Sequence, residues 1–496
     1  MHRTEPIKDE LLRLKQEIEK FAIDYGLDFY PVLFEVCDYD TINILAAQGG
    51  FPSRYPHWRF GMDYDQLSKG YRYGLQKIYE MVINTNPCYA YLLRANNLVD
   101  QKTVMAHVYG HADFFKNNYW FSGTNRKMMD VMANHGTKIR RYMDTHGIEK
   151  VEAFIDKVLS IENLLDVNNL FGVTNKDASS EVDDHHDEME GSSDALRSFL
   201  RSKARYDQEK KILGNVPDVE EVQRVVDSKL PCRDVMGFLM ENAPLDEWQS
   251  DIVGLLREEA YYFLPQRMTK IMNEGWASYW HSKIMTQNAL TASEIIDFAD
   301  HHAGVMAMSK QQINPYKIGI ELFRDIEHRW DTGKFGKEYN ECTDMSKVES
   351  WNRETNLGRE KIFEVRKTHN DITFIDEFFT QEFCQRQQLF TYKYNQRSGR
   401  FEIDSRDFMD IKNKLLAQLT NFGNPVIDVI DSNYQNRGEL LLKHEHYGVD
   451  LDYAQCSDTL KNIYFLWKRP VYIESIIEDS ASMIFFDGKE IQTKKI

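Results

Sequence analysis

Apolar residues near the start of the chain recur at helical spacing. Ile7, Leu11, Leu14, Ile18, Phe21 and Ala22 share one face, so an amphipathic helix is expected over residues 7–25. The stretch QGGFPSRYPHWRFGMDYDQL, rich in Pro, Gly and aromatic residues, reads as irregular, with a helix resuming near Gln66 to Tyr73. Cys88 to Ala95 reads as a strand bounded by Asn86-Pro87 and Asn96-Asn97. Helical periodicity returns across AHVYGHADFFK (Ala106 to Lys116), then from Met128 to Asn169 with a stop expected at His146-Gly147. A second helical block is expected from about 217 to 365. In it, Trp248 to Tyr262 puts Ile252, Leu255, Leu256 and Tyr262 on one side, Pro265 is expected to interrupt the helix, and NEGWASYWHS (Asn273 to Ser282) lies on the next one.

From Asp371 the pattern changes. A helical stretch leads into a hairpin through LFTYKYN and RFEID, then a helix over DFMDIKNKLLAQLTNFG and strands PVIDVID and GELLLKHEH. A helix near Ala454 to Trp467 and strands PVYIESI and SMIFFDGKEI complete a run that reads as an α+β domain with an antiparallel sheet.

Composition narrows the functional classes. With 61 Lys and Arg against 78 Asp and Glu, the formal charge of −17 argues against a general nucleic-acid surface and against docking on anionic lipid. The opening residues carry charges every few positions, and no stretch approaches eighteen uninterrupted apolar residues, so a cytoplasmic protein with no membrane span is expected. The 6 Cys are scattered without a C-x-x-C pair, which predicts reduced thiols and leaves His and carboxylates as metal ligands. Acids flanked by Ser and Gly crowd around Glu181 to Glu190 and mark a flexible linker, with His185 and His186 among them.

The candidate chemistry starts with His107 and His111. Four residues apart on a helix, both imidazoles project from one face, which is how a helix offers two nitrogens to one metal. Zinc proteases with H-E-x-x-H have a Glu base after the first His. Here that position is Val108, so the ligand half of the signature is present and the base half is missing. A pair of hydrogen-bonded core histidines is the competing reading. Glu274, at the start of a Trp- and Tyr-rich helical run, is the expected third ligand. Its Glu-Gly-Trp-Ala string resembles the third-ligand helix of gluzincin peptidases, where a small residue three positions after the Glu lets the helix approach the metal.

Other polar groups fall near this frame. Glu274, Ser278 and His281 share roughly one helix face, making His281 an outer-shell partner, a fourth ligand, a proton shuttle or a polar core residue. Glu258, Glu259 and His281 are the candidate proton acceptors, and Tyr109 or Tyr279 the candidate oxyanion stabilisers. A two-metal site drawing on Glu258, Glu259, Glu274, His107, His111, His281 and His302 is the other option, although the Glu-x-x-His repeat of di-iron bundles is missing. Of the adjacent His301 and His302, at most one faces a given site, because neighbours on a helix point about 100° apart. Asp325 and His328 have the spacing of a helical polar pair, and His444 and His446 share one strand face.

NEGWASYWHSKIM, taken with AHVYGHADFFKNN, WQSDIVGLLREEAYYFLPQRMTKIM, DHHAGVMA and NPYKIGIELFRDI, closely resembles the stage V sporulation protein R (SpoVR) family over nearly the whole chain. The resemblance implies a cytoplasmic bacterial protein linked to sporulation, to the peptidoglycan spore cortex, or to a stress response. It also implies a PrkA-type serine kinase and a von Willebrand factor A-like protein as partners, and it supplies no reaction. The expected fold is α+β: a mainly α-helical N-terminal region with a zincin-like metal-site arrangement, plus the C-terminal α+β domain. The expected divisions are 1–175 with the strand and HVYGH helix, a linker at 176–200, 201–368 with the NEGWASYWH helix, and 369–496. The expected function is metal-dependent hydrolysis of an amide or peptide bond, with Zn²⁺ or another transition metal on His107, His111 and Glu274 and a peptide or cell-wall precursor as substrate. A non-catalytic regulatory or scaffold protein is the alternative.

Overall fold

The computed structural model describes residues 4–72, 80–169, 230–307 and 314–496. The acidic segment with His185 and His186, and the start of the second helical block at 217, lie outside the described residues. The chain forms two compact units, each assembled from two separated stretches: Met1–Ala133 with Pro265–Leu419, and Asn134–Leu264 with Thr420–Ile496. Four consecutive segments do not describe this division. Phe374, Ile375, Phe378, Phe379, Phe383, Ile411 and Leu415 are buried in the core that contains Trp276 and Trp280, so residues 369–419 belong to the first unit.

The first unit contains a four-stranded sheet, β1 (Glu5–Pro6), β2 (Val32–Cys37), β3 (Glu80–Ile83) and β4 (Cys88–Leu93), in the order β1-β2-β4-β3. Strands β2 and β4 are parallel and the other pairs antiparallel. The opening helix spans Asp9–Asp24 and buries Ile18 and Ala22, as its spacing predicts. A helix over Trp58–Arg72 starts within the stretch that reads as irregular in sequence, because WRFGMDYDQL has helix-compatible residues once Pro56 is passed. The hairpin expected after residue 390 is present as β5 (Thr391–Asn395) and β6 (Arg400–Ser405).

Two helices dominate this unit. The histidine helix, Leu98–Asn117, is capped by Asn97, whose side chain accepts from the Asp100 amide at 2.8 Å, and is buried on all sides from Val104 to Phe115. The glutamate helix, Lys270–Ile284, follows a helix over Glu247–Met268 that continues through Pro265 and breaks at Thr269. Thr269 provides no side-chain cap. The amides of Ile271 and Met272 are instead taken by Asp371, at 2.8 and 2.9 Å, from the first residue of the helix Asp371–Phe378. A buried carboxylate from a hundred residues away in sequence thus satisfies the orphan donors and the positive pole of the helix.

The two helices meet through residues with no side chain to separate them. A Cβ on Gly110 would stand 2.6 Å from the Cα of Ala277. On another face, a Cβ on Gly275 would stand 2.4 Å from the Cα of Gly319, in the helix Pro315–Thr332. Asp113, fully buried two residues after His111, fixes the pair in register. It accepts from Trp276 Nε1 at 2.8 Å and from the Asp28 amide at 2.8 Å, and it pairs with Arg366 at 3.2 Å. Desolvation outweighs these partners and pushes the Asp113 carboxyl up to about 6.

The second unit carries a five-stranded sheet of β7 (Val426–Tyr434), β8 (Glu439–Glu445), β9 (Val471–Ile477), β10 (Ser480–Phe486) and β11 (Ile491–Lys495), in the order β11-β10-β9-β8-β7. The sheet is not wholly antiparallel, since β8 and β9 run parallel and the helix Tyr453–Trp467 makes the crossover between them. His444 Nδ1 meets Ser475 Oγ at 2.9 Å and His446 meets Asp450 at 2.8 Å, so both histidines are engaged by sheet and loop partners. In the same unit His135 donates from Nδ1 to Glu259 at 3.0 Å and from Nε2 to Glu258 at 3.3 Å. Burial opposes the charge on His135, but the two carboxylates outweigh it and push the pKa up to about 9.

Three outcomes follow from this packing. On helix propensity alone Gly110→Ala should stabilise by up to about 1 kcal/mol. The contact with Ala277 reverses the sign, so thermal denaturation should show a net loss of about 1–3 kcal/mol, and a stabilised variant would refute the close approach. Asp371→Ala leaves two helix amides without acceptors and should lower stability by about 1–3 kcal/mol in urea denaturation, whereas a change near zero would mean that another group caps the helix. His135 titrates higher folded than its ordinary value of about 6.5. Its stabilisation is therefore present in full below about pH 6.5 and lost as pH rises through about 9. The stability drop between those values should be smaller in His135→Gln, and equal drops in the two proteins would remove the histidine as its cause.

Candidate metal centre

The antiparallel seam between the histidine and glutamate helices brings His107, His111 and Glu274 together. One ligand atom from each lies within 4.8 Å of the others, and all three residues are buried. His107 Nε2 stands 3.4 Å from Glu274 Oε2, and His111 Nε2 stands 3.5 Å from the same oxygen. The other nitrogens are held from behind: His107 Nδ1 meets His281 Nδ1 at 2.8 Å, and His111 Nδ1 meets Asn273 Oδ1 at 2.8 Å. An amide oxygen only accepts, so Asn273 places a proton of His111 on Nδ1 and turns Nε2 toward Glu274. His281 continues outward through its Nε2, 3.3 Å from His302 Nδ1.

The fourth atom of this arrangement is Glu274 Oε1, which accepts a hydrogen bond from Lys270 one turn earlier on the helix. Burial raises the Glu274 carboxyl, but the hydrogen bonds from His107 and His111 and the charges of His111 and Lys270 outweigh it and hold it well below the ordinary range. His281 is held well below the ordinary imidazole value by burial, with the charges of His107 and His302 adding to the effect. Tyr316 lies along His107 with ring centroids 6.2 Å apart, and the Lys270 ammonium stands 5.9 Å from the Tyr316 centroid.

The donor set suits a metal ion. Atoms around a tetrahedral ion at bond lengths of about 2.0–2.1 Å are separated by about 3.3–3.4 Å. Nitrogen lone pairs facing a carboxylate oxygen repel it unless a proton or a cation lies between them. Among the described residues this is a group of His and Glu able to hold a metal ion, and its chemistry leaves the identity of the ion open.

The remaining sequence candidates fall elsewhere. Glu258 and Glu259 lie in the other unit and grip His135. Tyr109 lies half a helical turn from both ligands and packs on Phe29 and Phe34, with centroids 4.7 and 5.8 Å away. Tyr279 stacks on Trp276 in the same core. His302 reaches the site through His281, while its neighbour His301 pairs with Asp100 at 2.6 Å. Asp325 pairs with Arg329 and Arg386, and His328 is exposed. Sequence reasoning passed over Asn273, Lys270 and Tyr316. Lys270 was within reach, being four residues before Glu274, whereas Asn273 shows its role only once the antiparallel seam sets it opposite His111.

No helix among the described residues is long and apolar enough to cross a membrane. A family model described as SpoVR like protein matches residues 6–424, and a model described as SpoVR-like C-terminal domain matches residues 425–478. The passage from one to the other lies close to Thr420, where the chain enters its second unit for the second time. The chain is also similar to the protein of Escherichia coli (strain K12) named Uncharacterized protein YcgB, with 28% identity over 491 residues, 94% of this chain and 91% of that protein. No solved structure matches it. With matches running from residue 6 to residue 478, the chain belongs to the SpoVR family.

Proposed function

We propose that this protein is a metal-dependent hydrolase of amide or peptide bonds, with Zn²⁺ or another transition ion held by His107 Nε2, His111 Nε2 and Glu274 Oε2. The observation that carries the proposal is the pair of distances from Glu274 Oε2 to the two histidine nitrogens, 3.4 and 3.5 Å, which match the edge of a tetrahedral site. A bound ion would polarise a substrate carbonyl and acidify water at an open position.

The chain's own residues do the rest. Asn273 and His281 hold the two ring orientations, and Lys270 keeps Glu274 monodentate by occupying Oε1. With Val108 in the position of the usual base and Glu258 and Glu259 engaged by His135, His281 is the proton acceptor that remains beside the ligands. His302 lies behind it as an outlet. The family's link to sporulation favours a cell-wall peptide precursor or a protein substrate in the cytoplasm.

A second reading, a regulatory scaffold working with a PrkA-type kinase and a von Willebrand factor A-like protein, is favoured by Val108, which removes the base of the H-E-x-x-H pattern. Metal content separates the two. Elemental analysis of the purified chain should find about one transition ion per molecule, lost in the His107→Ala, His111→Ala double variant, and Asn273→Ala should weaken binding by about 10–100-fold. A wild-type protein that neither carries nor takes up metal would leave the scaffold standing.

A further inference from the structure

The charges around the ligand set do not balance once an ion is bound. Among the described residues Glu274 is the one carboxylate in the metal-ligand group, and its second oxygen is already bonded to Lys270. The Glu274 carboxylate is thus already paired with an ammonium before any ion arrives. A divalent ion on Oε2 would add its two charges to that pair, and the amide of Asn273 behind His111 brings no counter-charge.

The surroundings deepen the surplus. Lys317 and Arg324 lie on the helix Pro315–Thr332, where they share a single carboxylate, Glu321, at 3.5 and 2.9 Å. Arg324 also donates to Ser282, the residue after His281, at 3.3 Å. Asp371, the acid next along from Lys270, has both oxygens on the amides of Ile271 and Met272. Asp100 is engaged by His301. In a chain of formal charge −17 this is a local cationic site.

Of its three cations Lys270 is the most exposed and the one bonded to a member of the ligand group. Its side chain is 56% exposed, whereas those of His107, His111 and Glu274 are 5, 5 and 7% exposed. The ammonium sits one carboxylate's width from the oxygen facing the histidines, over the Tyr316 ring that lies along His107.

We propose that Lys270 is the anchor for an anionic substrate group, and that the site takes a peptide whose free terminal carboxylate lies next to the amide bond at the metal. The proposal rests on the hydrolase reading and names its substrate class. An ammonium bonded to the carboxylate that would hold the ion would reach a carboxylate on the residue that carries the scissile nitrogen and not one several residues away. In this role Lys270 is a specificity residue: as the substrate carboxylate arrives, the ammonium is shared between it and Glu274 Oε1, and the surplus charge of the loaded site falls by one.

The test uses the full chain loaded with Zn²⁺, metal content being measured on every preparation, and titration calorimetry with N-acetyl-dialanine and with its C-terminal methylamide. The wild-type protein should bind the free acid about tenfold more tightly than the amide. Lys270→Gln should lose that preference while keeping its metal, and Lys270→Arg should restore most of it. A wild-type protein with no preference, or a Lys270→Gln variant that keeps it, would overturn the role of Lys270 and leave the metal centre intact. Preparations that take up no metal would overturn the hydrolase reading beneath it.

Discussion

The contact of Gly110 on Ala277 governs the site. Two buried helices that cross with ordinary side chains between them keep their axes about 8–10 Å apart. At that spacing a short Glu side chain does not bring one oxygen within 3.5 Å of two histidines on the facing helix. Gly110 lies between His107 and His111 in sequence, and Ala277 lies three residues after Glu274, so the point of closest approach is set inside the ligand group itself. The second small-residue contact, Gly275 on Gly319, brings the helix with Tyr316, Lys317 and Arg324 equally close on another face. Geometry that a metal or a bound proton would otherwise have to impose is built into the backbone packing.

Close packing alone does not fix rotation or register, and buried polar bonds do that here. Asp113 and Trp276 join the two helices two residues beyond a ligand on each side, with Arg366 and the Asp28 amide completing the carboxylate's partners. Asp371 holds the start of the glutamate helix, one turn before Glu274. Each of these groups is buried, so losing one partner leaves the other desolvated and unpaired, which is costly enough to make the arrangement close to all-or-none. The three residues are therefore held in place by bonds that have nothing to do with metal chemistry.

Much of this was legible in the chain. The i, i+4 histidines, the Glu that begins an aromatic helix and the small residue three positions later are local spacings, and local spacings survive folding when the segments are helical. Tyr109 shows the limit of the same reasoning: proximity in sequence to both histidines suggested a catalytic hydroxyl, but two residues along a helix is half a turn, and the ring goes into the core against Phe29 and Phe34. Glu258 and Glu259 fail for a different reason. Their partner His135 is more than a hundred residues distant, and no local pattern announces which carboxylate a buried imidazole will meet. Strand β2 has a clean alternation of buried Val32, Phe34 and Val36, but a period-two run of six residues between a helix and an aromatic stretch is too short to stand out from its neighbours.

Val108, which follows the first histidine of the pair, bears on what the proposed centre could do. In an H-E-x-x-H site the base carboxylate sits next to the open position and contributes a negative charge there. Here that charge is missing, and the one carboxylate of the ligand group faces a lysine on its outer oxygen and two histidines on its inner one. Asn273 and His281 behind the ligands bring no carboxylate to restore it. Under the proposed reading such a centre would hold an ion with weaker electrostatic support than one backed by carboxylates, and would leave that ion more electrophilic. An ion so placed would favour an anion beside it, and Lys270, at the exposed edge of an otherwise buried cluster, is the residue on which the proposed substrate class turns.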